Sequence, residues 1–111
     1  MIEYRVFFHP MVHNDLDRVP RRIEDKFWNI IENYLRHKPF AEGIGYSVSE
    51  LKTKDLQGNI WSLQFYYDEH IRNFGFRAIY AVYGDRLVIY GVGPGSGFYK
   101  WGLTRVKHQH H

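Results

Sequence analysis

The stretch from residue 59 to residue 99 decides the fold. It reads N-I-W-S-L-Q-F-Y-Y at 59–67, N-F-G-F-R-A-I-Y-A-V-Y-G-D-R-L-V-I-Y-G-V-G at 73–93 and F-Y at 98–99. It contains three apolar and aromatic runs, a composition that fits the pleated surface of a sheet. A turn with Gly84 and Asp85 joins the last two runs. We therefore predict an antiparallel meander of three strands over Ile60–Tyr67, Asn73–Tyr83 and Arg86–Val92.

One charged residue, Arg77, lies inside the middle run between Phe76 and Ala78. A charge in a run that otherwise predicts core is costly unless it is paired or faces solvent. We therefore expect Arg77 to mark a face of the sheet that meets an anionic ligand. The alternative is a structural ion pair, for which the sequence offers three acids: Asp68, Glu69 and Asp85.

The part of the chain that precedes the meander predicts one strand and two helices. Alternating residues over Glu3–Phe8 predict the strand. Val12, Leu16 and Val19 then recur at helical spacing, and Pro20 ends that short helix. A second helix follows over Arg21–His37, where the apolar residues form one stripe. Its stripe contains Ile23, Phe27, Ile30, Ile31, Tyr34 and Leu35.

The predicted order is β-α-α-β-β-β, an α+β fold in which a helical hairpin covers one face of an antiparallel sheet. The other face is expected to be free to bind a ligand. The segment 47–54 is ambiguous, the segment Gly91–Gly97 is predicted to be flexible, and residues 101–111 are predicted to form a flexible tail. The residues predicted to form the core are Tyr4, Ile23, Phe27, Trp28, Ile30, Ile31, Trp61, Leu63, Ile79, Val82 and Val88.

Composition limits the classes of function. The 111 residues make one domain, and 44% hydrophobic residues exclude a disordered chain. The sequence has no cysteine, which suits a reducing cytoplasm, and no apolar run near the ~20 residues needed to span a bilayer. Residues 1–50 carry a net charge of −1 and residues 51–111 carry +4. A basic strand-rich half suits RNA, DNA or an acidic protein, although an ordinary solvated surface explains it equally well.

The order of these elements resembles the RelE/ParE superfamily of toxins from toxin–antitoxin systems, over residues 1–100. The resemblance rests on G-N-I-W-S-L-Q-F at 58–65, F-R-A-I-Y-A-V at 76–82, the Gly84-Asp85 turn, L-V-I-Y at 87–90 and F-Y at 98–99. The W-S-L-Q-F segment is most similar to the HigB or phage Gp49-like branch. The resemblance implies a cytoplasmic toxin with an antitoxin partner.

For nuclease members of the superfamily, the resemblance implies cleavage of mRNA on the ribosome without a metal or another cofactor. The 2′-hydroxyl attacks the adjacent phosphate, so the site needs cations around the phosphate and groups that transfer protons. Arg77 matches the arginine of the family pattern and is expected to contact the phosphate. Tyr99 matches the C-terminal tyrosine, which stacks on a base or takes part in proton transfer.

The sequence departs from the nuclease pattern at two places. Ser62, Gln64 and Tyr66 stand where many nuclease members have basic residues, and Gly93–Gly97 replaces a basic motif after the last strand. These departures favour the alternatives of a catalytically inactive member or a gyrase-type toxin that binds a protein. Lys100 and Arg105 are candidates to replace the missing cations.

Further RNA-binding residues are suggested by charge and position. Lys52 and Lys54 are spaced to project from one edge toward a phosphate backbone, or simply into solvent. His70 has the chemistry of a general base near neutral pH, but its place in a polar loop favours an ordinary surface histidine. Lys100 directly follows Tyr99. The histidines of the C-terminal tail are not predicted to form a metal site.

Overall fold

The computed structural model describes residues 3–52, 59–68, 74–95 and 97–109, and five strands in these residues form one sheet. The strands are β1 (Arg5–Phe8), β2 (Ser47–Glu50), β3 (Ile60–Asp68), β4 (Phe74–Tyr83) and β5 (Arg86–Pro94). Their order across the sheet is β1-β5-β4-β3-β2. The predicted α+β class and the meander of β3, β4 and β5 are confirmed.

The sheet is mixed, which corrects the prediction of an antiparallel sheet. β1 runs parallel to β5, with Arg5 opposite Arg86 and Phe8 opposite Ile89. The other neighbouring strands are antiparallel. Residue alternation identifies a strand but carries no information about the direction of its partner. That direction follows from the helices after β1, which carry the chain across one face of the sheet.

Two helices follow β1, as predicted, and a third follows β5. They are α1 (Val12–Leu16), α2 (Arg21–Ile30) and α3 (Tyr99–Gln109). Pro20 precedes α2, where its fixed backbone angle suits a helix start. Helix α2 continues into a π-helical segment, Ile31–Leu35, in which the Arg36 amide reaches back to the Ile31 carbonyl at 3.2 Å. The single long helix predicted over 21–37 therefore corresponds to α2 together with the π-helical segment.

The predicted helical hairpin packs on one face of the sheet, here called the first face. Phe27 is fully buried, and its ring centroid lies 5.2 Å from that of Phe65 on β3. Trp28 and Trp61 are partly buried against the same cluster. The buried members are Val12, Leu16, Val19, Ile23, Phe27, Ile30, Ile31, Leu35, Tyr46, Leu63, Phe65, Phe76, Ala78, Tyr80, Val82, Leu87, Ile89 and Val92. The register predicted for the helix is thus confirmed, except that Tyr34 of the predicted stripe is 50% exposed.

The opposite side of the sheet, here called the second face, is partly covered, which corrects the expectation that it is free. Helix α3 occupies residues that were predicted to belong to a flexible tail. Leu103 and Val106 of α3, and Phe98 just before it, pack in one cluster with Ile60 and Ile79 of the sheet. The sequence signal for this helix is weak because few apolar residues at helical spacing occur in 99–109, and Gly102 lowers helix propensity.

Glycines explain how α3 approaches the sheet. The segment predicted to be flexible, Gly91–Gly97, is in part a strand. β5 continues to Pro94, and Gly93 pairs with Arg77 on β4. A Cβ atom at Gly93 would lie 2.9 Å from the Cβ of Phe98, closer than side chains normally approach. Gly93 therefore allows the start of α3 to contact β5 directly.

Among the helices of the described residues, none has the length and apolar character required to cross a bilayer.

The segment that was ambiguous in the sequence contributes the edge strand β2. Ser47 pairs with Gln64 and Glu50 pairs with Trp61, so β2 extends the meander by one antiparallel strand. Its brevity explains the weak signal, because four residues give only two repeats of the strand alternation.

Candidate functional site

An open cleft of about 280 Å³ lies on the second face, beside the first turn of α3. We call it the Arg77 cleft. Side chains of β2, β3 and β4 form its floor and Tyr99 of α3 forms one wall. Its lining residues are Ser47, Ser49, Leu51, Ser62, Gln64, Arg77 and Tyr99. Two residues that the sequence analysis proposed as catalytic, Arg77 and Tyr99, are thus brought to one site from 22 residues apart.

Arg77 lies in the middle of the sheet, between Gln64 of β3 and Gly93 of β5. It points to the second face because it lies two residues before Ile79 on β4, and Ile79 packs on that face. Its side chain is half-buried and makes no ion pair within the described residues. Asp85, one of the predicted alternative partners, binds Arg5 instead at 3.1 Å. The guanidinium of Arg77 is therefore available to an anion in the cleft.

Tyr99 is held in place by two contacts. Its hydroxyl lies 2.5 Å from the Ser62 hydroxyl oxygen, within hydrogen-bonding distance. The Arg77 guanidinium carbon lies 5.8 Å from the centroid of the Tyr99 ring, at the distance of a cation–π contact. The phenol ring thus fixes the direction of Arg77, while Ser62 fixes the position of the phenol oxygen.

Apart from Arg77, the lining of the Arg77 cleft is uncharged and mostly polar. Ser47, Ser49 and Gln64 supply hydroxyl and amide groups, and the carboxylates of the described residues do not line the cleft. An anion near Arg77 would therefore meet hydrogen-bond donors and a positive charge without a competing carboxylate. Hydrogen bonds between a charged donor and an anion are about twice as strong as neutral ones.

Among the described residues, two further lysines were proposed to bind RNA, and neither lines the cleft. Lys52 is exposed and follows Leu51, a lining residue. Lys100 is exposed and follows Tyr99 on α3. Both are therefore one residue away from the cleft along the chain. Lys54 and His70 lie outside the described residues.

Arg105 does not replace a missing cation of the site, in contrast to one of the predicted possibilities. Its guanidinium forms an ion pair with Asp15 of α1 at 2.6 Å and donates a hydrogen bond to the Tyr90 carbonyl at 3.0 Å. It also stacks 4.2 Å from the centroid of the Trp101 ring. Asp15 further accepts a hydrogen bond from the Val92 amide at 3.1 Å. Arg105 therefore attaches α3 to α1 and β5.

Three serines of the cleft were not predicted as site residues from the sequence. Ser47 and Ser49 line it, and the alternation S-V-S-E-L at 47–51 was the available signal. Ser62 was noted only as the loss of a basic residue, yet its hydroxyl is the hydrogen-bond partner of Tyr99. No set of three or more histidine, aspartate or glutamate side chains in the described parts of the chain is arranged to hold a metal ion.

Comparison with known proteins finds similarity to a solved structure. No family model and no curated protein matches the chain. Among solved structures, the chain is similar to a double mutant of the toxin RelE from E. coli, determined in the free state. The TM-score is 0.65, the sequence identity is 11%, and the match covers 99% of this chain and 100% of that chain. The chain therefore has the fold of the RelE toxin over nearly its whole length.

Proposed function

We propose that this protein is the toxin of a type II toxin–antitoxin pair and that it cleaves mRNA on the ribosome. The observation that carries the proposal is the convergence of Arg77 and Tyr99 on one polar cleft. Arg77 has no ion pair among the described residues, and Tyr99 is fixed by Ser62. The RelE fold is consistent with this function, and the sequence pattern favours the HigB or phage Gp49-like branch.

In the proposed reaction, the 2′-hydroxyl of a nucleotide loses its proton to water and attacks the adjacent phosphorus. The bond from phosphorus to the 5′-oxygen breaks, leaving a 2′,3′-cyclic phosphate and a 5′-hydroxyl end. Arg77 binds the phosphate oxygens, on which negative charge increases in the transition state. Tyr99 donates a proton to the departing 5′-oxygen and regains one from water, while Ser62 holds the phenol in place.

The surroundings of the cleft suit the proposed partners. Lys52 and Lys100 flank the cleft along the chain and are proposed to bind RNA phosphates, as are Lys54 and His70 on sequence grounds. The net charge of +4 over residues 51–111 would attract an acidic antitoxin segment as well as RNA. The proposed site of action is the cytoplasm, where mRNA and ribosomes occur, and the reaction uses no cofactor.

A second candidate is a toxin of the same fold that binds a protein target without catalysis, as gyrase-directed toxins do. One observation favours it. Among the described residues, Arg77 is the single cationic side chain that lines the cleft. Nuclease chemistry on a phosphodiester usually depends on several positive groups around the phosphate.

Induced expression in bacteria tests the first proposal. The wild type is expected to arrest growth and to cleave mRNA, whereas Arg77→Ala and Tyr99→Phe are expected to lose cleavage by at least tenfold. Arg86→Ala is the matched control, because Arg86 is an exposed arginine at the start of β5 and does not line the cleft. Full cleavage by both cleft variants would contradict the site. Growth arrest by the wild type without RNA cleavage would favour the protein-binding candidate.

A further inference from the structure

A second cavity, of about 370 Å³, adjoins the Arg77 cleft at the edge of the sheet. We call it the Tyr67 groove. Its lining residues are Lys26, Gly45, Tyr46, Ser47, Gln64, Tyr66 and Tyr67. Ser47 and Gln64 line both cavities, so the two meet at the start of β2. We propose that the Tyr67 groove binds the next part of a single-stranded RNA whose phosphate lies at Arg77, an inference that rests on the proposed function.

The cation of the Tyr67 groove is Lys26 of α2. Its Nζ lies close to the loop at Gly45, where a Cβ atom would be 3.6 Å from it. The neighbouring acids of the helix have other partners. Asp25 pairs with Arg21 at 3.9 Å, and Glu24 accepts a hydrogen bond from the Trp28 indole at 2.9 Å.

Lys26 itself makes no ion pair in the described part of the chain. Its charge is thus available to a phosphate of the RNA backbone.

The aromatic surface of the groove is Tyr67 on β3, whose side chain is 55% exposed. Tyr66 beside it is half-buried, with its ring centroid 6.2 Å from that of Phe76. An exposed ring next to a cation is the combination by which single-stranded nucleic acids are bound without sequence readout. Tyr67 is therefore the proposed stacking surface for a base, and Lys26 the proposed contact for a phosphate.

The path between the two cavities fits an extended strand of RNA. Gln64 and Tyr67 are three residues apart on β3, at most about 10 Å at ~3.3 Å per residue, and a β-bulge lies between Gln64 and Tyr66. β2 pairs with β3 only as far as Gln64 within the described residues, so β2 does not cover Tyr66 and Tyr67. A phosphate at Arg77 and a base on Tyr67 would consequently belong to different nucleotides. Polar Ser47 and Gln64 supply hydrogen-bonding groups between them.

Binding of two RNA lengths tests this path. The probes are a fluorescent dinucleotide and a fluorescent hexanucleotide of single-stranded RNA, each with a 2′-deoxy sugar at the attacking position to prevent cleavage. The wild type is expected to bind the hexanucleotide more tightly. Tyr67→Ala is expected to weaken hexanucleotide binding about 5- to 100-fold, as removal of one stacking ring does. Lys26→Ala is expected to reduce the slope of log affinity against log salt by about 0.7.

Matched controls separate these effects from folding. Tyr34 is an exposed tyrosine outside both cavities, with 50% exposure, so Tyr34→Ala is expected to bind both probes normally. Tyr67→Phe and Lys26→Arg are expected to retain hexanucleotide binding because they keep the ring and the charge. Lys26→Ala and Tyr67→Ala are both expected to weaken dinucleotide binding less than hexanucleotide binding, because the dinucleotide offers fewer groups to the Tyr67 groove.

The outcomes distinguish this inference from the function on which it rests. If Arg77→Ala weakens both probes while Lys26→Ala and Tyr67→Ala leave hexanucleotide affinity unchanged, the Tyr67 groove is not part of the path. If Arg77→Ala has no effect on either probe, the proposed RNA site itself is wrong. Binding of neither probe by the wild type would overturn both proposals.

Discussion

The two faces of the sheet are covered in different ways. On the first face, α1, α2 and the π-helical segment seal one continuous apolar cluster. On the second face, α3 covers a smaller cluster around Ile79 and Tyr90, and the remaining area is the polar Arg77 cleft. The first face thus supplies most of the buried apolar area, whereas the second combines a helix contact with an open site.

The contacts of the covering helices also differ. Helix α2 inserts large side chains into the first face, as the contact of Phe27 with Phe65 illustrates. Helix α3 approaches through glycines. A Cβ atom at Gly102 would lie 2.6 Å from the Ile79 Cδ1 atom, and one at Gly91 would lie 3.0 Å from the Trp101 ring. We infer that loss of an α2 contact lowers the stability of the whole fold. Loss of an α3 contact is expected to loosen mainly the second face.

The largest expected effect is that of Phe27→Ala, which removes the centre of the first-face cluster. Phe27 is fully buried, so the substitution should lower the free energy of unfolding by about 3–5 kcal/mol. Urea unfolding followed by circular dichroism measures this value. Phe7→Ala is the control, because Phe7 is 45% exposed, and it should cost far less. Equal costs for the two substitutions would contradict the difference between the faces.

The next effect concerns the ion pair that attaches α3. The side chains of Asp15 and Arg105 are only 9% and 16% exposed, and Asp15 also binds the Val92 amide. Asp15→Asn leaves Arg105 without its charge partner, at a cost of about 2–4 kcal/mol. Hydrogen exchange should become faster in α3 while protection in α2 is retained. Asp17→Asn, at an exposed neighbouring position, should change neither helix.

Sequence reasoning predicted the first face well because its signals are local and repeated. The stripe of α2 and the Gly84 turn each specify their own structure over a short range of sequence. The second face depends on contacts between distant residues. Asp15 and Arg105 are 90 residues apart, and neither lies in a pattern that indicates the other.

The candidate site was predictable only in part. Arg77 was recognisable because a charge interrupts an apolar run, and Tyr99 because it matches the resemblance. No sequence pattern identifies the serines of the floor as site residues, because Ser47 and Ser49 belong to a four-residue edge strand. The hydrogen bond of Ser62 with Tyr99 depends on α3, which the sequence signalled only weakly.

The smallest expected effect is a pH dependence at His9, which lies beside the attachment of α3. Burial, and after it the positive charge of Arg105, lowers the pKa of His9 below its ordinary value, against an opposing effect of Asp15. The neutral ring accepts a hydrogen bond from the Met11 amide at Nδ1, at 3.1 Å. A protonated ring cannot accept that bond, so the folded state favours neutral His9.

The direction of the pH effect follows from this preference. Below pH about 6.5 the unfolded chain binds the His9 proton more readily than the folded chain does. The stability due to neutral His9 is therefore fully present above that pH and is lost as the pH falls through the lowered pKa. His9→Asn keeps a hydrogen-bond acceptor but does not titrate, so its unfolding free energy should fall less than that of the wild type between pH 7 and pH 5. His13→Gln, at an exposed position on α1, should behave like the wild type. If the unfolding free energies of the wild type and His9→Asn fell equally between pH 7 and pH 5, the protonation of His9 would not contribute to the pH dependence of stability.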